Sequence, residues 1–210
     1  MTQRRNDLKE TASQTAGPYV HIGLTPKVAG LNGPYPAEPG QAIAGPDAKG
    51  QRIRIEGALF DGQGDVVRDA LIEVWQADAN GIYNSPGDPR WESCDPAVFG
   101  WGRAATDLSS GSFAIDTIKP GSVPGPRETT MAPHISLWIV ARGINLGLST
   151  RLYFADEEAD NETDPVLAGV LPPERRCTLL ARPDGEKDGT TRYRFDIRLQ
   201  GEDETVFFDC

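Results

Sequence analysis

The sequence predicts an all-β fold, a β-sandwich with long loops and one or two short helices. Short apolar and alternating segments recur between turn signals, helical periodicity is scarce, and glycine (23 residues) and proline (17 residues) are abundant. Such spacing of short strands is typical of sandwiches. The 210 residues, of which 38% are hydrophobic, are enough for one well-buried domain, so residues 1–210 are predicted to form a single domain.

About seven strands are predicted, each from its side-chain pattern. In chain order they cover residues 52–56, 70–76, 112–118, 134–141, 148–154, 192–199 and 205–208. Alternation of polar and apolar residues, as in 52–56 and 112–118, indicates half-buried strands. The nearly continuous apolar run at 134–141 predicts a central strand. Glycine-rich residues 60–64 and the segment Lys119-Pro-Gly121 predict turns between strands.

The remaining segments are predicted to be loops, with two weak helical stretches. These stretches cover residues 155–167 and 172–180, where Pro165, Pro172 and Pro173 limit the helices. Residues 26–50 are rich in proline and glycine and predict a long excursion from the sandwich. Residues 1–25 precede it as an N-terminal arm.

Charge and cysteine usage exclude several function classes. The net charge of −10 and the pI of about 4.7 make nucleic acid a poor partner, because phosphate binding needs a basic face. The sequence has no apolar run long enough to span a membrane, and its N-terminus does not have the pattern of a secretory signal. Cys94, Cys177 and Cys210 are odd in number and widely spaced, which favours reduced thiols and a cytoplasmic location.

A series of motifs identifies a family. They are SQTAGPY at 13–19, IEVWQADANGIY at 72–83, GWGR at 100–103, IKPG at 118–121, PHI at 133–135, TRLYF at 150–154 and RFDIRLQG at 194–201. Together and in this order, they resemble the intradiol ring-cleaving dioxygenases from about residue 10 to the C-terminus. The segments ARGIN at 141–145 and GEDETVFFD at 201–209 resemble, in particular, the iron-free chain of the heteromeric members.

The resemblance implies a mixed β-sandwich and a reaction between a catecholic substrate and dioxygen. In the catalytic chains of this family, two tyrosinates and two histidines bind ferric iron, Fe(III), because hard oxygen donors favour the ferric state. The substrate chelates the iron through both hydroxyls, and the ring opens between the hydroxylated carbons. In heteromeric members the iron is bound by the partner chain, and alpha–beta pairs form a larger assembly.

Only two of the four iron ligands implied by the resemblance are present in this sequence. Tyr83 and His134 match the first tyrosine and the first histidine, whereas Val123 and Ser136 stand where the second tyrosine and second histidine are expected. Met131 stands where the resemblance implies a catalytic arginine. A phenolate and an imidazole alone cannot enclose Fe(III), which prefers five or six donors. No metal is therefore expected in this chain, and Tyr83 and His134 are predicted to hydrogen-bond in a relic pocket.

Four other residues match the wall that the iron-free chain contributes to its partner's pocket. Thr15, Gly17 and Pro18 match a pocket-lining turn, and Arg142 matches an arginine that reaches the substrate carboxylate. An arginine can bind a carboxylate through two hydrogen bonds. The residues by themselves leave two alternatives open, an ordinary Gly-Pro turn and a strand-end arginine in a surface ion pair.

Three functions remain as hypotheses from the sequence. The first is an iron-free subunit that forms, with an iron-bearing chain, the pocket for ring cleavage of protocatechuate. The second is a self-sufficient dioxygenase with an altered iron site, which Val123 and Ser136 argue against. The third is a binding or scaffolding module on the same fold, which the fold class alone cannot exclude.

Overall fold

Eleven strands form the framework of the described part of the chain. The structure is a computed structural model that describes residues 15–33 and 35–209, so residues 1–14 of the predicted arm and Cys210 lie outside the described residues. The strands are β1 (Arg52–Phe60), β2 (Leu71–Trp75), β3 (Trp101–Ala105), β4 (Ser112–Ile118), β5 (Val123–Pro124), β6 (Thr130–Met131), β7 (His134–Val140), β8 (Leu148–Phe154), β9 (Leu180–Lys187), β10 (Thr190–Arg194) and β11 (Ile197–Arg198).

The strands form the mixed sandwich that the sequence and the family resemblance predict. Hydrogen bonding gives the order β11-β1-β10-β9-β8-β7-β2-β3, with β4 antiparallel to β1 and a separate β5–β6 pair. Strand β1 is parallel to β10 and β11, and β8 is parallel to β9, whereas the other pairs are antiparallel. Since β9 pairs with both β10 and β8, it joins the two layers of the sandwich.

Alternating side chains of both layers build the core between them. In β1, Ile53 and Ile55 are buried, whereas the intervening Arg54 remains half-exposed. These isoleucines belong to the same apolar cluster as Leu137 of β7 and Leu152 of β8. Full burial of one such side chain contributes roughly 1.5–3 kcal/mol to folding. The opposite face of β7 and β8 is thereby left free to carry polar residues.

The helices are short and lie outside the sandwich core. They are α1 (Pro18–Leu24), α2 (Glu158–Thr163) and α3 (Pro165–Gly169), with 3-10 turns at Trp91–Ser93, Pro126–Glu128 and Pro173–Leu179. The described residues thus contain three α-helices rather than one or two. In the 26–50 excursion, the described residues form no helix or strand beyond a bridge between Ala44 and Val98. No described helix combines the length and apolar character needed to cross a bilayer.

Of the predicted strands at the C-terminal end, one was wrong in extent and one does not form. The segment 192–199 is interrupted because the Asp196 carboxylate, rather than a backbone carbonyl, accepts the amide of Ala58 at 2.9 Å. The segment 205–208 is not a strand, because its amides bond to two separate partners. Thr205 N donates to Arg198 O at 2.9 Å and Phe208 N donates to Ser149 O at 2.8 Å, so no continuous ladder forms.

Candidate functional site

Strands β7 and β8 place two of the family's ligand positions on one face of the sheet. His134 and Ser136 are two residues apart, so their side chains point to the same side. Across the strand pair, His134 lies opposite Tyr153 and Ser136 lies opposite Arg151. On the other side of β7, Ser136 lies opposite Trp75 of β2. Residues in such register have neighbouring side chains, so these five residues form one cluster.

The β5–β6 hairpin brings Val123 to the same cluster. Val123, which is buried, lies opposite Met131 in the hairpin, and the Met131 Sδ accepts a hydrogen bond from Arg151 Nη1 at 3.3 Å. We name the four positions Tyr83, Val123, His134 and Ser136 the relic iron site. Of these positions, Tyr83 and His134 carry the ligand types of the family, whereas Val123 and Ser136 do not.

A tight turn carries Tyr83 to this site. The Asp78 carboxylate accepts the amides of Asn80 and Ile82, each at 2.9 Å, and Gly81 has a φ of 71°. A Cβ atom on Gly81 would lie 1.8 Å from the carbonyl oxygen of Ser122, so only glycine permits this approach to the residue preceding Val123. The Tyr83 ring then stacks parallel on Trp75, with 5.7 Å between ring centroids.

The two surviving ligand types are both neutral near pH 7. His134 Nδ1 donates to the carbonyl oxygen of Ala132 at 2.7 Å, since a carbonyl can only accept. Burial, helped by the positive charge of Arg151, lowers the pKa of His134 to about 4. Burial also raises the pKa of the Tyr83 phenol above its usual value. Deprotonation of the phenol, which ferric binding requires, is therefore disfavoured.

The residues of the relic iron site do not fit ferric iron. One phenol and one imidazole remain as donors, Val123 has no lone pair, and the hydroxyl of Ser136 is a poor ligand unless it is deprotonated. The cation of Arg151 lies opposite Ser136. Within residues 15–33 and 35–209, no three or more His, Cys, Asp or Glu side chains cluster as a metal site. The relic iron site therefore does not offer the donors that a catalytic ferric centre needs.

The first testable prediction concerns the metal content of the chain purified without any partner. After dialysis against a weak chelator, it should retain far less than one equivalent of iron and lack the visible tyrosinate-to-iron absorption band, because two donors are missing. Metal analysis and a visible spectrum check this, with an iron-bearing family member carried through the same steps as the control. Near-stoichiometric iron with that absorption would contradict the prediction.

A second cluster joins the N-terminal segment to the far end of β7. Thr15 Oγ1 accepts the amide of Gly143 at 2.8 Å and donates to the carbonyl oxygen of Ala141 at 3.4 Å. Gly17, Pro18 and Arg142 line a cavity of about 340 Å³. The structure therefore brings together all four residues that the sequence singled out for the pocket wall. We name Thr15, Gly17, Pro18 and Arg142 the arginine wall.

Local structure at the arginine wall differs from the sequence prediction in two ways. Gly17 and Pro18 begin helix α1 instead of forming an isolated turn, with Pro18 at the first helical position, where its missing N–H costs nothing. Arg142 Nε donates to the carboxylate of Asp69, so the surface ion pair is present. The Arg142 side chain is nevertheless 72% exposed, and its terminal nitrogens bond to no described residue.

The arginine wall and the relic iron site lie at opposite ends of strand β7. His134 is its first residue, and Arg142 lies just beyond its last residue, Val140. At about 3.3 Å per residue, the backbone positions of His134 and Arg142 are roughly 26 Å apart. An arginine side chain cannot reach over that distance. Arg142 therefore does not serve the relic iron site of its own chain.

Sequence reasoning missed four residues of these clusters, namely Arg151, Tyr153, Trp75 and Asp69. The first three occur in quoted family motifs, but their position beside the relic iron site depends on strand register, which those motifs do not supply. Asp69 precedes β2 in a loop, and its contact with Arg142 bridges 73 residues of sequence. Its place directly before the predicted strand 70–76 was the only available signal in the sequence, and it does not indicate a partner.

Comparisons with known proteins identify the family. A family model described as "Dioxygenase" matches residues 31–201. The protocatechuate 3,4-dioxygenase alpha chain of Pseudomonas putida is 50% identical over 202 residues, which is 96% of this chain and 97% of that protein. The beta chain of the Burkholderia cepacia enzyme is 34% identical over 169 residues, covering 78% of this chain and 71% of that protein.

Solved structures give the same result for the fold. The 3-chlorocatechol 1,2-dioxygenase of Rhodococcus opacus 1CP matches with a TM-score of 0.59 and 25% identity, covering 80% of this chain and 70% of that one. The mixed sandwich, the ordered motifs, the family model and the full-length likeness to alpha chains all agree. The chain belongs to the intradiol dioxygenase family.

Proposed function

We propose that this chain is the iron-free alpha subunit of a protocatechuate 3,4-dioxygenase. An iron-bearing beta chain holds the Fe(III), and the arginine wall completes the pocket around its substrate. With dioxygen, the complex opens the ring of protocatechuate between its two hydroxylated carbons and yields 3-carboxy-cis,cis-muconate in the β-ketoadipate pathway. The observation that carries this proposal is the roughly 26 Å separation between the arginine wall and the relic iron site of the same chain.

The rim of the arginine wall supports a covering partner. Tyr19 is 84% exposed, and Ile22 and Leu108, which line the cavity with Arg142, are 45% and 54% exposed. Such apolar side chains around a cavity are typical of a surface that another chain covers. The cavity is open on this side, so a substrate held there needs further walls from a second chain.

Electrostatics explains why an arginine is useful at this position. The chain has a net charge of −10 and would repel an anionic substrate without a local cation. Asp69 holds Arg142 Nε, while the two terminal nitrogens bond to no residue that the structure describes. These nitrogens can bind the protocatechuate carboxylate, which lies across the ring from the hydroxyls that the beta-chain iron engages. Asp69 thus orients the guanidinium while its remaining donors serve the substrate.

The two alternative functions have less support. A self-sufficient dioxygenase would need ligands that Val123 and Ser136 do not provide. A scaffolding module would not require Thr15 to bond to Gly143, beside an exposed arginine whose terminal nitrogens are available. We also propose that residues 1–210 act as one domain, that alpha–beta pairs build a larger assembly, and that the free thiols of Cys94 and Cys177 suit the cytoplasm.

Co-expression with an iron-bearing beta chain tests the proposal. We expect the two chains to co-purify and to consume dioxygen with protocatechuate. The chain expressed alone should aggregate or self-associate, because obligate interfaces bury roughly 2,000 Å² or more. Size-exclusion chromatography with light scattering, iron analysis and an oxygen electrode provide the measurements. A thermally stable monomer at micromolar concentration that ignores the beta chain would contradict the proposal.

A further inference from the structure

A cation stands among the ligand positions of the relic iron site. Arg151 lies opposite Ser136 in the β7–β8 register, and its Nη1 donates to Met131 Sδ and to the Tyr153 hydroxyl, each at 3.3 Å. Met131 in turn lies opposite Val123. The guanidinium therefore belongs to the residue opposite Ser136 and contacts the side chain of Met131, the hairpin partner of Val123. No described carboxylate forms a direct ion pair with it, and a guanidinium stays charged at every pH that the protein meets.

The surrounding structure holds Arg151 in this place. Its strand neighbour Tyr153 is fully buried, and the Tyr153 hydroxyl donates to the Asp164 carboxylate at 3.4 Å. Asp164 is itself buried and also accepts the amide of Ala132 at 2.8 Å. Arg151 thus contacts a phenol whose position is defined by a buried hydrogen-bonding network. Swinging out to solvent would cost the guanidinium its contact with that network.

Access of an ion to this place is not sterically closed. Ser136 and Arg151 both line an open groove of about 420 Å³, together with Trp75, Trp101 and Trp138. A hydrated metal ion could enter this groove. The barrier that remains after the donors are restored is therefore the positive charge inside the site.

We propose that Arg151 takes the place of the metal's positive charge in the relic iron site and excludes metal cations from it. Loss of the ligands at Val123 and Ser136 is one barrier, and the resident guanidinium is a second, independent barrier. Restoring the two ligands alone would then leave the site unable to bind iron. Removing the charge of Arg151 as well would allow binding.

The test compares the number of iron ions per alpha–beta pair in variants of the co-purified complex. This design rests on the proposed function, because it needs the chain to co-purify with an iron-bearing beta chain. The beta-chain iron gives a baseline of one. Val123→Tyr/Ser136→His should stay near one iron, and the same chain with Arg151→Gln should approach two, with affinity at the relic iron site changing by about 100-fold or more. Arg151→Lys in place of Arg151→Gln should remain near one. Exposed Arg182→Gln on the two-ligand variant is the matched control and should also remain near one.

Metal analysis and the electron paramagnetic resonance of the second ferric ion give readouts independent of activity. If Val123→Tyr disrupts the buried hairpin, Ser136→His with and without Arg151→Gln is titrated with Zn²⁺, with the unmodified complex as baseline. A second iron in the two-ligand variant that retains Arg151 would overturn the proposal. So would equal metal binding with and without Arg151 in both series. Failure of the unmodified chains to co-purify would instead count against the proposed function.

Discussion

The Arg142→Ala variant of the complex should raise KM for protocatechuate by about 10- to 150-fold and change kcat much less. A hydrogen bond from a charged donor is worth roughly 1.5–3 kcal/mol, which corresponds to that range. The contact is made to the substrate carboxylate, away from the reacting carbons, so it stabilises ground state and transition state alike. Steady-state oxygen uptake over a range of protocatechuate concentrations measures both constants.

Catechol provides the internal control for this variant, because it lacks the carboxylate. Its kcat/KM should be unchanged by Arg142→Ala, whereas a general distortion of the pocket would lower the values for both substrates in the same proportion. Such a proportional loss would mean that Arg142 is structural. Arg182→Ala, in an exposed position of β9, is the matched control for the loss of one positive charge. It should leave both substrates within twofold of the unmodified complex.

The Asp69→Asn variant tests whether Asp69 orients the Arg142 side chain or competes with the substrate for it. The amide still offers an oxygen to Arg142 Nε but gives up the ion pair, so we expect a smaller rise in KM than for Arg142→Ala. If Asp69→Asn lowered KM, the carboxylate would be competing with the substrate for the guanidinium. Comparing the two variants on protocatechuate therefore distinguishes orientation from competition.

The strands that the sequence predicted best are those with regular burial. Segments 112–118 and 148–154 match β4 and β8 because their side chains alternate between core and opposite face. Strand β3 was missed because Gly102, its buried position, has no apolar side chain. A glycine is needed there because residues of the 26–50 excursion pack against it. Ile43 packs where a Cβ of Gly102 would be, and Gly40 O accepts the amide of Arg103 at 2.7 Å.

Strand β9 was missed for a different reason. Its residues Leu180–Lys187 include Pro183 and Gly185 and are mostly exposed, so they carry no periodic apolar signal. The strand exists because it pairs with β10 on one side and β8 on the other, with a register shift near Thr191. Pairing with strands that are distant in sequence therefore outweighs the low β-propensity of this segment. The join between the two layers could not be predicted from the segment itself.

The sequence identified individual residues of the candidate sites but not which of them lie together in the structure. The motifs identified Tyr83, His134 and Arg142 by their sequence context. Which of them share a site depends on the length of β7, which separates His134 from Arg142 by its whole extent. Arg151 enters the relic iron site through its register with Ser136. Register is set by the whole sheet, so no local pattern could assign it.

The Asp164→Ala variant should lower the free energy of unfolding by about 3–5 kcal/mol, the largest stability effect expected for an exchange outside the apolar core. Asp164 is fully buried and caps helix α3, where its Oδ1 accepts the amides of Val166 and Leu167 at 2.8 Å each. Its Oδ2 accepts the amide of Ala132 at 2.8 Å. Alanine would leave three backbone donors without this acceptor, and buried donors without partners are costly.

The effect should be local as well as global, because Ala132 lies two residues before His134 at the relic iron site. Amide hydrogen exchange at Ala132, Val166 and Leu167 should accelerate in Asp164→Ala before the rest of the complex unfolds.

Asp164→Asn, which keeps one acceptor oxygen but turns a donor toward another amide, should be destabilised to an intermediate extent. Exposed Glu162→Ala in helix α2 is the matched control, with an expected change within about 0.5 kcal/mol. Unfolding is followed at equal complex concentrations, because association contributes to stability. Equal stability of Asp164→Ala and Glu162→Ala would show that water satisfies the three amides and that the carboxylate is dispensable.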